Sequence, residues 1–207
     1  MIRDASNGAE GIDVSRETRR RLDAFEAILR KWNRSINLVS KGSLNEVQTR
    51  HIADSVQVFR AAPAGRRWVD LGSGGGFPGL VVAVLAAEEA PEMRVTLVES
   101  DQRKAAFLRS AARACGVTCE VLAKRAEDLP PLGADLMSAR ALTELSPLLE
   151  HAARHLDPTG TALFPKGATW RKEVERARET WSFQMEAIPS RTESGAVILK
   201  ISEVSRV

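Results

Sequence analysis

The residues best suited to chemistry form one glycine-rich run, Asp70-Leu71-Gly72-Ser73-Gly74-Gly75-Gly76-Phe77-Pro78-Gly79. An apolar segment at 67–71 leads into this run and another at 79–85 follows it, so the pattern predicts a strand, a turn and the start of a helix. Glycine permits positive φ and lets a ligand approach the backbone, and proline suits the first turn of a helix. Such a turn is typical of loops that bind nucleotide-like cofactors.

Two cofactor motifs overlap in this run. The spacing Gly74-x-Gly76-x-x-Gly79 fits the dinucleotide fingerprint, with Glu99 twenty residues further on. The same residues read Asp70-x-Gly72-x-Gly74-x-Gly76, the acidic-first loop of S-adenosylmethionine (AdoMet) methyltransferases. A carboxylate at the top of the first strand would repel a pyrophosphate, whereas AdoMet carries a cationic amine and a sulfonium. We therefore favour AdoMet over a dinucleotide, with Glu99 accepting both ribose hydroxyls in either case, and a purely structural glycine turn is the remaining alternative.

Further candidate residues lie beyond the carboxyl ends of the predicted strands, where parallel sheets bind ligands. Asp101 stands two residues after Glu99, either at the expected cofactor cleft or simply at the start of the next helix, where acids favour the dipole. In segment 124–128 an acidic side chain could accept from the adenine amino group while a backbone N–H binds a ring nitrogen. Arg140 could hold the methionine carboxylate or a substrate phosphate, or form a salt bridge within the sheet. Lys166 points either into the cleft or into solvent.

Length and composition favour one α/β domain with a modest extension, because the chain has 207 residues, 43% of them hydrophobic and 28% charged. A second catalytic domain does not fit, which counts against a dehydrogenase. No apolar run reaches the roughly 20 residues of a membrane span, and the polar start is unlike a signal peptide, so we expect a cytoplasmic protein. The net charge of +3 permits nucleic-acid binding without requiring it.

The histidines and cysteines do not predict a metal site. Cys115 and Cys119 have no neighbouring ligands and are expected to be free thiols. His151 and His155 stand four residues apart without an HExxH pattern, so a solvated helix face is the favoured interpretation. We therefore predict no metal.

Apolar periodicity divides the chain into a disordered tail at 1–13, a helical extension at 14–63 and an α/β domain at 64–207. Helices are predicted at 14–32 and 44–59 in the extension. In the domain, strands near 67–71, 95–99, 118–123, 134–139 and 161–165 alternate with helices near 79–88, 101–115, 144–156 and 169–180. This alternation predicts right-handed βαβ units and a mostly parallel sheet. Strands at 183–188 and 196–201 form a closing hairpin, which adds a final antiparallel strand typical of methyltransferases.

The residues at the end of the fourth predicted strand limit which atoms could accept the methyl group. It reads Ser138-Ala139-Arg140-Ala141, not the Asp/Asn-Pro-Pro-aromatic turn that commonly binds exocyclic amines. Methylation of pyrimidine C5 needs a cysteine nucleophile, and neither cysteine is expected in the cleft. A heteroaromatic nitrogen with a free lone pair, such as guanine N7, needs neither feature. For such an acceptor the enzyme mainly aligns nitrogen, methyl and sulfur, and no general base is expected.

Several elements together resemble one known family: Trp32-Asn33-x-x-x-Asn37-Leu38, His51-Ile52-x-Asp54-Ser55, the glycine-rich run, Arg140-Ala141 and Lys166-Gly167. From about residue 20 to 201 the chain is similar to the glucose-inhibited division protein B family. These bacterial methyltransferases modify guanine N7 in a loop of 16S ribosomal RNA, using AdoMet. The resemblance implies a Rossmann-like AdoMet-dependent methyltransferase fold of the α/β class, with an N-terminal helical extension.

The resemblance also implies roles for individual residues. Those implied to contact AdoMet are Gly72, Phe77, Ala126, Glu127 and Arg140, beside the Asp70, Gly74, Glu99 and Asp101 expected from the loop and strand ends. Those implied to face 16S rRNA or the small ribosomal subunit are Arg103, Arg125 and Lys166. The segment 191–195 departs from the basic or histidine-containing stretch expected before the last strand. Two rival functions remain: an NAD-dependent oxidoreductase, and a non-catalytic RNA-binding protein that keeps the glycine loop.

Overall fold

A computed structural model describes residues 12–40 and 42–207 of the chain. Its strands form a single sheet made of β1 (Arg67–Leu71), β2 (Arg94–Val98), β3 (Glu120–Leu122), β4 (Ala134–Ala139), β5 (Leu156–Lys166), β6 (Trp181–Pro189) and β7 (Val197–Arg206). The α-helices are α1 (Arg16–Trp32), α2 (Ala53–Ala61), α3 (Gly79–Glu89), α4 (Gln102–Cys115), α5 (Leu145–His155) and α6 (Trp170–Ala177). Short 3-10 segments lie at Ser43–Glu46 and Ala126–Asp128, and a π-helical segment lies at Val47–Ile52.

The order of strands in the sheet is β3-β2-β1-β4-β5-β7-β6. Strands β1 to β5 pair in parallel, and β7 runs antiparallel to both of its neighbours. The predicted parallel sheet with a final antiparallel strand is therefore confirmed. Because the chain returns to the middle of the sheet after β3, the strand order reverses between β1 and β4. Ligands of open α/β sheets bind at such a reversal.

The N-terminal helices explain why α3 lacks a polar face. Every residue of α3 from Gly79 to Ala86 is buried, because α3 lies on the sheet and α1 and α2 cover its outer side. A helix that is apolar all round is stable only when it is enclosed in this way. On the opposite side of the sheet, α5 and α6 contribute to a second apolar cluster.

The structure differs from the sequence prediction in the helical extension. The predicted helix at 44–59 is interrupted, since Val47–Ile52 forms a wider π turn before α2 begins. The five-residue step between buried Val47 and Ile52 suits this wider turn, which a search at a period of 3.6 residues overlooks.

The predicted disordered tail at 1–13 lies mostly outside the described residues. Among the residues that the structure covers, no helix has the length and apolarity needed to cross a bilayer.

Candidate active site

A cavity of about 530 Å³ opens over the glycine loop, at the carboxyl ends of β1, β2 and β4. Sequence-predicted residues that line it are Gly72, Gly74, Phe77, Glu99, Arg125, Ala126, Glu127 and Arg140. Gly72 and Gly74 have φ values of 65° and 49°, a conformation that side-chain-bearing residues rarely adopt. The loop thereby turns its backbone toward the cavity. We call this space the cofactor cavity.

Glu99 is held rigidly at the floor of the cofactor cavity. Its side chain is only 7% exposed, with Oε2 accepting from Gly74 N at 2.9 Å and Oε1 accepting from Asp101 N at 2.8 Å. A carboxylate offers about four acceptor positions, so lone pairs remain for hydroxyl donors. The direction of the carboxylate is therefore fixed, and it can still accept from hydroxyl groups of a ligand.

Asp101 does not line the cofactor cavity, which corrects its predicted place. Its Oδ1 accepts from the backbone N–H groups of Arg103 and Lys104, at 2.8 and 3.1 Å, and so caps the N-terminus of α4. These hydrogen bonds lower the pKa of Asp101. Its carboxylate therefore serves as the N-cap of α4, which is the helix-start alternative given for it above.

The prediction that the Asp70 carboxylate faces the ligand is wrong. Residues two apart on a strand share a face, and Asp70 lies on the same face as Trp68, beneath α3. The carboxylate is fully buried, and its Oδ1 accepts from Ser138 Oγ at 2.6 Å on the neighbouring β4, while Oδ2 has no hydrogen-bond partner among the described residues. Burial raises the pKa of Asp70 to about 6. Repulsion of a pyrophosphate by this group therefore carries no weight in choosing the cofactor.

Arg140 stands between the cofactor cavity and a second cavity. Its Nη1 lies 2.7 Å from His51 Nδ1, and its guanidinium lies 5.0 Å from the centre of the Phe77 ring. Burial and the nearby arginine charges lower the pKa of His51 to about 4. The imidazole is thus neutral at physiological pH, so Nδ1 accepts from Arg140. This bond and the aromatic ring fix the direction of the guanidinium.

The second cavity measures about 450 Å³ and shares Arg140, Ala141 and Thr143 with the first. We call it the acceptor cavity. One wall comes from the π segment and α2, with Arg50, His51 and Asp54, and another comes from the loop between β6 and β7. Sequence reasoning gave no role to Asp54 and left open whether this loop contacts the substrate. The signal that could have found Asp54 is the motif His51-Ile52-x-Asp54-Ser55.

Lys166 lies in the wall of the acceptor cavity. Its side chain is 8% exposed, and Nζ donates to Glu173 Oε2 at 2.7 Å and to Thr143 O at 2.8 Å. Arg125 is exposed at the rim of the cofactor cavity, and exposed Arg103 lines neither cavity. The three predicted RNA-facing cations are thus not equivalent.

The histidines of α5 differ from the sequence expectation. His155 is fully buried, with Nε2 lying 3.1 Å from Ala126 O, so the predicted solvated face is wrong there. His151 lines the cofactor cavity, 4.0 Å from Glu127 Oε1. Both histidines therefore lie against the segment that carries Ala126 and Glu127.

The sheet order and the cavity over its reversal define the class of the protein, the Rossmann-like AdoMet-dependent methyltransferases. A ribosomal protein L11 methylase from Lactobacillus delbrueckii shows the same fold, with a TM-score of 0.57, 19% identity, and coverage of 77% of this chain and 78% of that one. A T. thermophilus 16S rRNA N2 methyltransferase in complex with AdoMet and guanosine has a TM-score of 0.53 and 16% identity, covering 72% of this chain and 38% of that one.

Comparison of sequences gives the family. Residues 18–197 match the family model of GidB, rRNA small subunit methyltransferase G, and the chain belongs to this family. A relative named ribosomal RNA small subunit methyltransferase G, from Ruegeria pomeroyi, is 59% identical over 207 residues and covers all of both chains. The resemblance found in the sequence is confirmed.

Proposed function

We propose that the protein transfers the methyl group of AdoMet to N7 of a guanine in 16S rRNA of the small ribosomal subunit. The observation that carries the proposal is that two cavities meet at Arg140, one over the glycine loop and one beside it. Family membership supports ribosomal RNA as the substrate. The reaction takes place in the cytoplasm, where the small subunit is made.

The cofactor cavity suits AdoMet by its donor and acceptor set. Glu99 would accept from the ribose hydroxyls, and Ala126 and Glu127 would hold the adenine, with the carboxylate of Glu127 accepting from the amino group. The turn at Gly72 and Gly74 leaves room for the methionine moiety. Asp70 supports this arrangement from below, through Ser138, without touching the ligand.

The role of the side chains is alignment and not proton transfer. When bound, AdoMet supplies an electrophilic methyl group on its sulfonium. Guanine N7 has a free lone pair, so no side chain has to remove a proton before or after transfer. Arg140 donates to O6 of the base and leaves N7 unobstructed, because a donor bonded to N7 would occupy the reacting lone pair. Holding the two reactants in line supplies the rate enhancement.

The RNA contacts follow from the three cations. Arg125 and Arg103 are exposed on the side of the cofactor cavity and bind phosphates outside it. Lys166 is held by Glu173 and lines the acceptor cavity, so it meets the target nucleotide itself. We expect the salt dependence of RNA binding to come from the two arginines.

The test is incubation with labelled AdoMet and with either free 16S RNA or small subunits that lack the modification. Label at a guanine N7 supports the proposal, and cleavage specific for 7-methylguanosine locates it. Label at a guanine carbon, or on no RNA, contradicts the proposal. Calorimetry compares the binding of AdoMet and NADH, and binding of NADH without AdoMet would indicate the oxidoreductase. RNA binding without methyl transfer would indicate the non-catalytic alternative.

A further inference from the structure

The acceptor cavity contains a carboxylate that forms no ion pair with the described residues. Three acidic side chains line this cavity. Glu173 pairs with Lys166 at 2.7 Å and Glu193 pairs with Arg50 at 2.5 Å, whereas Asp54 has no salt bridge to any residue that the structure describes. One oxygen of Asp54 accepts from Thr192 Oγ1. The other oxygen accepts no hydrogen bond from the described residues, and Asp54 lines the cavity.

The hydrogen-bonding capacity of this group selects among bases. A carboxylate accepts from two neighbouring N–H donors at once. Guanine presents such a pair, N1–H and the N2 amino group, on one edge. Adenine and cytosine present a donor next to an acceptor there, and uracil presents one donor between two acceptors. A carboxylate in this position therefore favours guanine.

The order of groups around guanine matches the order of groups along the cavities. On the base the sequence is N2, N1, O6 and N7. In the protein, Asp54 lines the acceptor cavity but not the cofactor cavity, whereas Arg140 lines both cavities. With the N1 and N2 edge on Asp54, O6 meets Arg140, which has five N–H donors and uses one toward His51. N7 then points toward the cofactor cavity, which Arg140 also lines.

We infer that Asp54 is the residue that reads the target base, accepting from N1–H and N2–H of guanine. This inference rests on the proposed function. The carboxylate is held in advance, because Thr192 and the Arg50–Glu193 pair fix the β6–β7 loop against the start of α2. Gln57 completes this attachment by donating to Pro189 O at 2.6 Å. A site built in this way rejects an analogue that lacks a donor, because a buried acceptor is then left unpaired.

The test uses 16S RNA in which the mapped target guanosine is replaced by inosine, which lacks the N2 amino group and keeps N1–H, O6 and N7. For the wild type we expect kcat/KM to fall about tenfold on this substitution, as expected for one lost hydrogen bond to a charged acceptor. For Asp54→Asn we expect kcat/KM with guanosine to fall by about thirtyfold or more. The variant should then treat guanosine and inosine equally, within about twofold.

A matched control is Asp23→Asn, which changes an exposed carboxylate on α1, outside both cavities. It should keep the wild-type preference for guanosine. Equal rates of the wild type on guanosine and inosine, or an unchanged preference in Asp54→Asn, would overturn the inference. The wild-type arm needs no variant to fold. Failure of the proposed function looks different, since the wild type would then place no methyl group at N7 of unsubstituted RNA.

Discussion

Replacement of Asp70 by Asn should change how stability depends on pH. The ordinary pKa of this carboxyl is 3.8, and burial raises it to about 6 in the folded protein. Between these values the folded state binds the proton and the unfolded state does not. The free energy of unfolding therefore falls as pH rises through this range. Asn keeps an acceptor for the Ser138 hydroxyl but cannot ionise.

The magnitude follows from the two pKa values. Each pH unit between them corresponds to about 1.4 kcal/mol, so the ionised carboxylate costs about 3 kcal/mol at neutral pH. About 2 kcal/mol of this cost develops between about pH 4.5 and 7.5. The stability of Asp70→Asn relative to the wild type should rise by that amount over the range. The difference between the two proteins removes the contributions of the histidines, which both retain.

Urea unfolding of both proteins at several pH values measures this difference. Asp135→Asn is the control. Hydrogen bonds from Arg66 and Arg67 lower the pKa of Asp135, so this carboxylate stays ionised throughout the pH range. Its difference from the wild type should stay flat. A flat difference for Asp70→Asn would refute the placement of this carboxylate beneath α3. A loss of AdoMet affinity of about tenfold or more, without a loss of stability, would instead indicate direct contact with the ligand.

Two further substitutions test the packing and the floor of the cofactor cavity. Gly79→Ala should lower the free energy of unfolding by about 2 kcal/mol or more, because a Cβ there would lie 2.5 Å from Asp70 Oδ2. A Cβ at Gly167 would meet nothing within 4 Å, so Gly167→Ala should leave the stability unchanged. Thermal unfolding of the two variants and the wild type measures the difference. Glu99→Ala should weaken AdoMet binding about tenfold or more by calorimetry, while Asp101→Asn should change the affinity less than about threefold. Equal effects of the two substitutions within either pair would contradict the positions that the structure gives these residues.

The sequence predicted the residues of the site that lie close together along the chain. The glycine loop and Glu99 belong to one βαβ unit, so their spacing alone places them at one sheet edge. Strand alternation predicts that the Asp70 side chain shares a face of the sheet with Trp68, but the motif-based prediction considered only the charge of Asp70. The acceptor cavity could not be foreseen, because it brings Asp54 against Thr192, 138 residues away. Such contacts depend on how the β6–β7 loop packs on α2, which no local pattern encodes.

The measurement that tests the central claim most directly is mass spectrometry of 16S rRNA from a strain that lacks the gene for this protein. We predict the loss of a single 7-methylguanosine, its restoration by the wild type, and no restoration by Arg140→Ala. An unchanged 16S modification pattern in the deletion strain would contradict the account.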